Sequence, residues 1–102
     1  MYGLSVRFTC KDGTAAAGFD KLVAETVPLI REHEAGTIVY AVHAVEGKPL
    51  ERIFYELYRD RAAFDAHEEQ PHTRRFLDAR GQFLASVDVD RLTLQAGKGT
   101  DG

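Results

Sequence analysis

The chain has 102 residues, enough for one hydrophobic core and too few for two, so we expect a single domain. Its 13 basic and 16 acidic residues give a net charge of −3 without any basic run or stripe, which argues against a nucleic-acid partner. Cys10 is the only cysteine, which excludes an intrachain disulfide, and no apolar run approaches the roughly 18 residues of a membrane span. A cytoplasmic protein without a membrane partner is expected.

The first half of the chain predicts a strand, a helix and a hairpin. Residues 2–10 alternate apolar and polar, as a strand does, and the turn KDG follows. Apolar residues then recur at helical spacing from Thr14 until shortly before Gly36, a plausible C-cap, with a kink or restart expected at Pro28. Two further strands, 37–45 and 51–59, flank the turn signal EGKP.

The second half predicts two helices separated by a proline. Asp60 is a good N-cap for a helix that must stop near Gln70, because the residue before a proline is pushed out of the helical region. Pro71 suits the first turn of a new helix, which the apolar residues extend through Phe83 and Leu84. A last strand is predicted over 86–94, with room for a bulge.

The order β-α-β-β-α-β predicts a ferredoxin-like α+β fold, a four-stranded antiparallel sheet with helices on one face. We assign residues 1–96 to this domain and expect 97–102, the sequence GKGTDG, to be a disordered tail. Both alternating sets of side chains in TIVYAVHAV and RIFYELY are largely apolar, although helices can cover only one face. The other face therefore predicts a sheet-on-sheet homodimer, a dimeric α+β barrel.

Glu56 is the most informative residue, because it lies mid-strand on a face that is otherwise apolar. A carboxylate buried there has to be paired, hydrogen-bonded or protonated, and burial would suit it to general acid–base chemistry. The competing interpretation is a structural glutamate paired with an arginine such as Arg7.

His67 and His72 stand five residues apart, which on one unbroken helix would turn them about 140° from each other. The break at Gln70–Pro71 resets that rotation, so the two imidazoles could converge. The spacing does not fit the helical zinc motif and no cysteine is near, so we expect no metal site. Neither a phosphate-binding glycine loop nor a dinucleotide fingerprint is present, so no bound nucleotide cofactor is expected.

The segment RIFYELYRDRAAFDAHEEQPHTRRF (52–76) resembles the signature of the antibiotic biosynthesis monooxygenase (ABM) family. The shared pattern is a strand ending in Glu-x-Tyr, an Asp-x-x-Ala stretch, and His-x4-His with a proline before the second histidine. The residues that carry the pattern are Glu56, Tyr58, Asp60, Ala63, His67, Pro71, His72 and Phe76. A weaker likeness extends over VPLIREHEAGTIVY (27–40).

This resemblance implies a dimeric α+β barrel that oxidises quinols, anthrones or similar phenols with O₂ and without a cofactor. Carried onto this chain, it makes His67 or His72 the proton acceptor and Glu56 its orienting partner or an alternative base. The candidate substrate contacts are Phe54, Tyr58, Phe64, Phe76 and Arg7. The haem-degrading relatives require an asparagine and a tryptophan, and this chain has neither.

Two other functions stay open at this point. The isomerase that degrades phosphorylated autoinducer-2 has a similar His and Glu pattern, and its anionic substrate would need a cation such as Arg7 or Arg74 facing the pocket. A non-catalytic dimeric binding module is the third, since a fold does not fix a function.

Overall fold

The computed structural model describes residues 1–101 and contains four strands and three helices in that part of the chain. In chain order they are β1 (Tyr2–Cys10), α1 (Gly13–His33), β2 (Thr37–Val45), β3 (Lys48–Tyr58), α2 (Arg61–Glu69), α3 (Pro71–Arg80) and β4 (Leu84–Thr93).

The strands form one antiparallel sheet in the order β2-β3-β1-β4. This order is that of the ferredoxin-like arrangement, so the predicted fold class is confirmed. The second helical region is divided into α2 and α3, which gives β-α-β-β-α-α-β. The register between β1 and β4 shifts between Thr9 and Cys10, an irregularity in the strand pair where a bulge was expected.

The core lies between one face of the sheet and the helices. β1 turns Leu4, Val6, Phe8 and Cys10 toward it, as period-2 alternation requires. Phe19, which is fully buried, joins them from α1. Aromatic rings dominate the centre; Phe8 and Phe54, for example, have centroids 4.5 Å apart in an edge-on arrangement.

α1 corrects two expectations. It runs unbroken from Gly13 to His33 with Pro28 inside it, so the predicted restart does not occur. Its C-cap is Glu34, whose backbone N–H donates to Ile30, and the predicted cap at Gly36 is wrong. Gly36 is small for another reason, since a Cβ there would lie 2.7 Å from the Cβ of Ala63 in α2.

The hairpin between β2 and β3 is tighter than predicted. Gly47 has a φ of +74°, which glycine adopts without strain, and Val45 already pairs with Lys48 across the turn. β3 therefore begins at Lys48, three residues before the predicted Glu51, because the turn needs only two residues.

The predicted break between the two later helices is confirmed. Asp60 caps α2 by accepting a hydrogen bond from the N–H of Ala63, and Gln70 is extended, with ψ 140°. Pro71 then opens α3 at its first position.

α3 ends at Arg80, so its predicted continuation through Phe83 and Leu84 is wrong. Leu84 is already paired with Cys10 in the sheet, and the carbonyl of Phe83 accepts a hydrogen bond from Lys11. The Phe83 ring packs against Gly18 of α1, where a Cβ would lie 2.5 Å from it. Phe83 and Leu84 have apolar spacing typical of a helix, but their hydrogen bonds and pairing with the β1 region keep them out of α3.

The outer face of the sheet, turned away from the helices, carries apolar side chains that include Leu57, Tyr55 and Leu92. Within residues 1–101, no helix has the length and apolar character to cross a membrane. Residues 97–101 contain neither helix nor strand, and Gly102 lies outside the described residues, so the disordered tail stays a prediction.

Candidate functional site

A single buried carboxylate, that of Glu34, joins the two motif histidines. Its Oε1 lies 2.6 Å from Nδ1 of His67, and its Oε2 lies 2.5 Å from Nε2 of His72. The hydroxyl of Thr37 donates a third hydrogen bond to Oε1 at 2.8 Å. All four side chains belong to different elements or their ends, so the cluster exists only in the folded chain. We call Glu34, His67 and His72 the Glu34 triad.

Burial disfavours ionisation of Glu34, but the hydrogen bonds from His67 and His72 outweigh it and lower the pKa of this carboxyl below its usual value. An ionised carboxylate only accepts hydrogen bonds, so both imidazoles donate their N–H groups to it. In neutral His67 the proton is therefore on Nδ1, and Nε2 carries a free lone pair. That lone pair is what a general base needs.

Nε2 of His67 has no hydrogen-bond partner in residues 1–101. Every completely buried side-chain nitrogen or oxygen in that part of the chain has a partner, so Nε2 retains some exposure. The same reasoning applies to Nδ1 of His72.

Local structure fixes each member of the triad. Glu34 lies one turn beyond Ile30 on the buried side of α1. The close approach of Gly36 to Ala63 holds the chain after α1 against α2, the helix that carries His67. The extended residue Gln70 then turns α3 so that His72 faces the same carboxylate.

His67 also borders a cavity of about 190 Å³ between the sheet and helices α2 and α3, which we call the inner cavity. Its apolar lining comes from Leu4, Val6, Phe8, Phe64, Phe76, Leu77 and Val89. Its polar lining comes from Tyr40, Glu56, His67, Glu68, Thr73, Arg80 and Arg91.

Glu56 lies in this cavity with a single hydrogen-bond donor. The hydroxyl of Tyr58 donates to its Oε1 at 2.6 Å. Burial raises the pKa of Glu56 above its usual value, and the Tyr58 hydrogen bond offsets only part of that effect. Burial and the nearby Glu56 charge raise the pKa of Tyr58 as well, so this phenol stays protonated. Glu56 is thus suited to exchanging a proton.

Two arginines bring positive charge to the inner cavity. Arg80 lies over the ring of Phe8, and Arg91 lies over that of Phe64 and donates a hydrogen bond to the Tyr2 hydroxyl. Neither guanidinium lies within 4.0 Å of a carboxylate among residues 1–101. Both are therefore available to an anionic ligand.

The order of strands and helices agrees with one protein family. The family model for antibiotic biosynthesis monooxygenase matches residues 1–79. The chain belongs to the antibiotic biosynthesis monooxygenase family. No functionally curated protein matches it.

Solved structures share the ABM fold with this chain. PA3566 from Pseudomonas aeruginosa is 28% identical, with 93% of this chain and 94% of that chain covered and a TM-score of 0.78. Rv0793 from Mycobacterium tuberculosis is 24% identical, with 94% and 96% covered and a TM-score of 0.85. SO0527 from Shewanella oneidensis is 24% identical, with 89% and 87% covered and a TM-score of 0.81.

The ABM motif residues occupy different layers of the structure. His67, Glu56, Phe64 and Phe76 border the inner cavity. His72 does not border it, and is linked to His67 through Glu34.

Three other candidate residues lie away from the cavity surface. Phe54 and Tyr58 pack behind it in the core. Arg7 lies on the outer face of the sheet, where it forms an ion pair with Glu51 at 2.5 Å. The alternative pairing of Glu56 with Arg7 is wrong, since the partner of Glu56 is Tyr58.

Glu34 is the main residue that sequence reasoning missed. A signal was present, because Glu34 continues the buried spacing of Val27 and Ile30 on α1. Arg80 and Arg91 were also missed. In residues 1–101, no group of three or more His, Cys, Asp or Glu side chains is arranged to hold a metal ion.

Proposed function

We propose that this chain is a cofactor-independent monooxygenase that oxidises an electron-rich phenol, such as a quinol, with O₂. The observation that carries the proposal is the position of His67, which borders the inner cavity while Glu34 holds its Nδ1 and leaves Nε2 as the free nitrogen. Family membership supports the reaction type, and the cavity chemistry supports the substrate class.

The first step is removal of a phenolic proton. The substrate O–H bond breaks and an N–H bond forms at Nε2 of His67, whose imidazolium is then paired with the ionised Glu34. The phenolate that results lies among apolar and aromatic side chains, with Arg80 and Arg91 near enough to stabilise negative charge.

The electron-rich phenolate then reacts with O₂ to give a hydroperoxide on the ring. One oxygen atom stays on the ring as the product becomes a hydroxyquinone, and the other leaves as water. The substrate supplies all four electrons. Glu56, whose pKa is raised by burial, is placed to donate a proton to the leaving oxygen.

The volume of the inner cavity limits the size of the substrate that can bind. Sites for drug-sized ligands measure roughly 300–1,000 Å³, whereas this one measures about 190 Å³. We therefore expect a single-ring quinol to be a better substrate than a three-ring anthrone.

Oxygen uptake by the metal-stripped protein tests the proposal. Wild type should consume O₂ with single-ring quinols above their autoxidation rate, and His67→Gln should lower kcat by about 10²- to 10⁴-fold because the base is lost. The control is Lys21→Gln, at an exposed position of α1. Equal turnover by His67→Gln and wild type would disprove the assigned base.

A second candidate function is favoured by the two arginines. Cations facing the cavity suit an isomerase acting on a phosphorylated, sugar-like dione, with His67 and Glu56 moving the proton. Such an enzyme would convert its substrate without consuming O₂, and Arg80→Gln would raise its KM. Oxygen uptake therefore separates the two functions directly.

We also propose a homodimer formed by the outer face of the sheet. Leu92, on that face, is 37% exposed. A standard interface of about 800 Å² per subunit is comparable to one small sheet face. Light scattering should give twice the chain mass, and Tyr55→Glu should give the monomer mass. A monomeric wild type would contradict this assembly.

A further inference from the structure

Glu34 joins two histidines that border separate hollows in the surface of the protein. The inner cavity is on the His67 side. On the His72 side is a larger hollow of about 500 Å³, which we call the outer groove. It is lined by Leu29, His33, Gln70, Pro71, His72 and Arg75. Of these two hollows, each histidine borders only one, while the two rings donate to opposite oxygens of one carboxylate.

One buried carboxylate can neutralise one imidazolium. The side chain of Glu34 is 3% exposed, and those of His67 and His72 are each 6% exposed, so water does little to compensate an unbalanced charge. If both imidazoles were protonated, one positive charge would be buried without an anion. The charge-balanced state holds one ionised Glu34 and one imidazolium, on either His67 or His72.

We propose that His67 and His72 share one proton across Glu34, so that a proton taken up from the inner cavity displaces one into the outer groove. At His67 an N–H bond forms at Nε2. At His72 the N–H bond at Nδ1 breaks, and that proton passes to water in the groove. The Nε2–H of His72 stays hydrogen-bonded to Glu34, which remains ionised, and the net charge of the triad does not change.

Charged groups of both signs surround the two rings. Glu56 of β3, Glu68 of α2, Arg80 of α3 and Arg91 of β4 border the inner cavity with His67. Tyr40 of β2 and Tyr58 of β3 contact the His67 ring as neutral phenols. On the other side Arg75 of α3 borders the outer groove, paired with Glu25 of α1 at 3.3 Å. His33 of α1 stacks on His72, with ring centroids 6.2 Å apart. The neutral hydroxyls of Thr37 and Thr73 complete the surroundings.

The sharing itself does not depend on the identity of the substrate; only the claim that the incoming proton comes from a phenol rests on the proposed function. In the monooxygenase reaction, the exchange would return His67 to its basic form without passing the proton back through a cavity occupied by substrate.

Ring ¹⁵N NMR of the substrate-free protein tests the proposal. As the pH is varied, the wild-type signals of His67 and His72 should each change in two steps, because two sites that share one proton titrate as a pair. In His72→Gln the His67 signal should change in one step, and at the plateau between the wild-type steps its protonated fraction should rise about two-fold.

Two controls isolate the role of Glu34. Glu34→Gln removes the anion that balances the shared proton, so the first step of both rings should move to lower pH. Lys21→Gln, at an exposed position of α1, should leave both wild-type curves unchanged. Single independent steps in wild type would overturn the proposal without any variant, and so would an unchanged His67 curve in His72→Gln. If the protein consumes no O₂ with any phenol, the proposed function fails while these curves still decide the sharing.

Discussion

Glu34 and Glu56 are chemically identical side chains, buried to a similar extent at 8% and 6% exposure, and the fold gives them opposite proton affinities. Glu34 accepts hydrogen bonds from two imidazoles and a hydroxyl, and its pKa is lowered. Glu56 accepts one from Tyr58, and its pKa is raised. Burial acts in the same direction on both, so the number and charge of the donors decide the difference.

This difference assigns separate roles around His67. A carboxylate that stays ionised can orient the imidazole and balance its charge, whereas one that binds a proton readily can deliver it to a reacting oxygen. Sequence reasoning gave both roles to Glu56, because it could not see Glu34.

Removing Glu34 tests the comparison most severely. Glu34→Ala leaves two buried imidazole donors and the Thr37 hydroxyl without their acceptor, so we expect a loss of about 3 kcal/mol in the free energy of unfolding. Urea unfolding near neutral pH measures it. Glu32→Ala, whose side chain is 69% exposed on the same helix, is the control. Similar losses of stability in Glu34→Ala and Glu32→Ala would contradict the role of Glu34 as a buried hydrogen-bond acceptor.

Acid should weaken the contribution of Glu34. Because the pKa of Glu34 is lower folded than unfolded, its stabilising effect is complete above the unfolded value of about 4.3 and disappears as the pH falls through the folded value. Unfolding of wild type and Glu34→Gln from about pH 2 to pH 7 should show the gap in stability narrowing in acid. A gap that is constant over this range would contradict an ionised Glu34.

Glu56 should behave in the opposite sense. Because its pKa is higher folded than unfolded, the folded state loses stability as the pH rises above about 4.3 and through the folded value. Wild type should therefore lose on the order of 1 kcal/mol relative to Glu56→Gln between acidic and neutral pH. Parallel stability curves for the two proteins would remove the distinction between the carboxylates.

The smallest effect is expected at Tyr58. Tyr58→Phe removes the one hydrogen bond that favours the charged form of Glu56 and should cost about 0.5 kcal/mol at neutral pH and less in acid. Tyr55→Phe, on the outer face of the same strand, is the matched control. A larger loss in acid than at neutral pH would show that Tyr58 stabilises the protonated form instead.

Local signals predicted most of the fold. The alternation in residues 2–10 gave β1 its observed bounds, and Asp60 and Pro71 gave the ends of α2 and the start of α3. The errors arose where tertiary pairing overrides spacing, as at Leu84, which pairs with Cys10 instead of extending α3.

The candidate site was harder to predict from the sequence than the fold. Glu34 is 33 residues from His67 and 38 from His72, and only the packing of α3 against α1 and α2 brings them together. In the sequence REHEAG it is one of several charged residues near a helix end. The position of Arg7 on the outer face of the sheet, in contrast, could be predicted. Side chains alternate along β1, and Leu4 and Val6 face the core, so Arg7 faces the other way.

The single extended residue Gln70 makes the site sensitive to chain length. Its side chain makes no capping hydrogen bond, so other residues able to precede a proline should serve there. One inserted residue at this point would turn α3 by about 100° about its axis. His72 would lose its hydrogen bond to Glu34, and Phe76 would no longer point into the core. Substitutions at position 70 should therefore be tolerated, while insertions and deletions between the two histidines should not, although the segment lies near the surface.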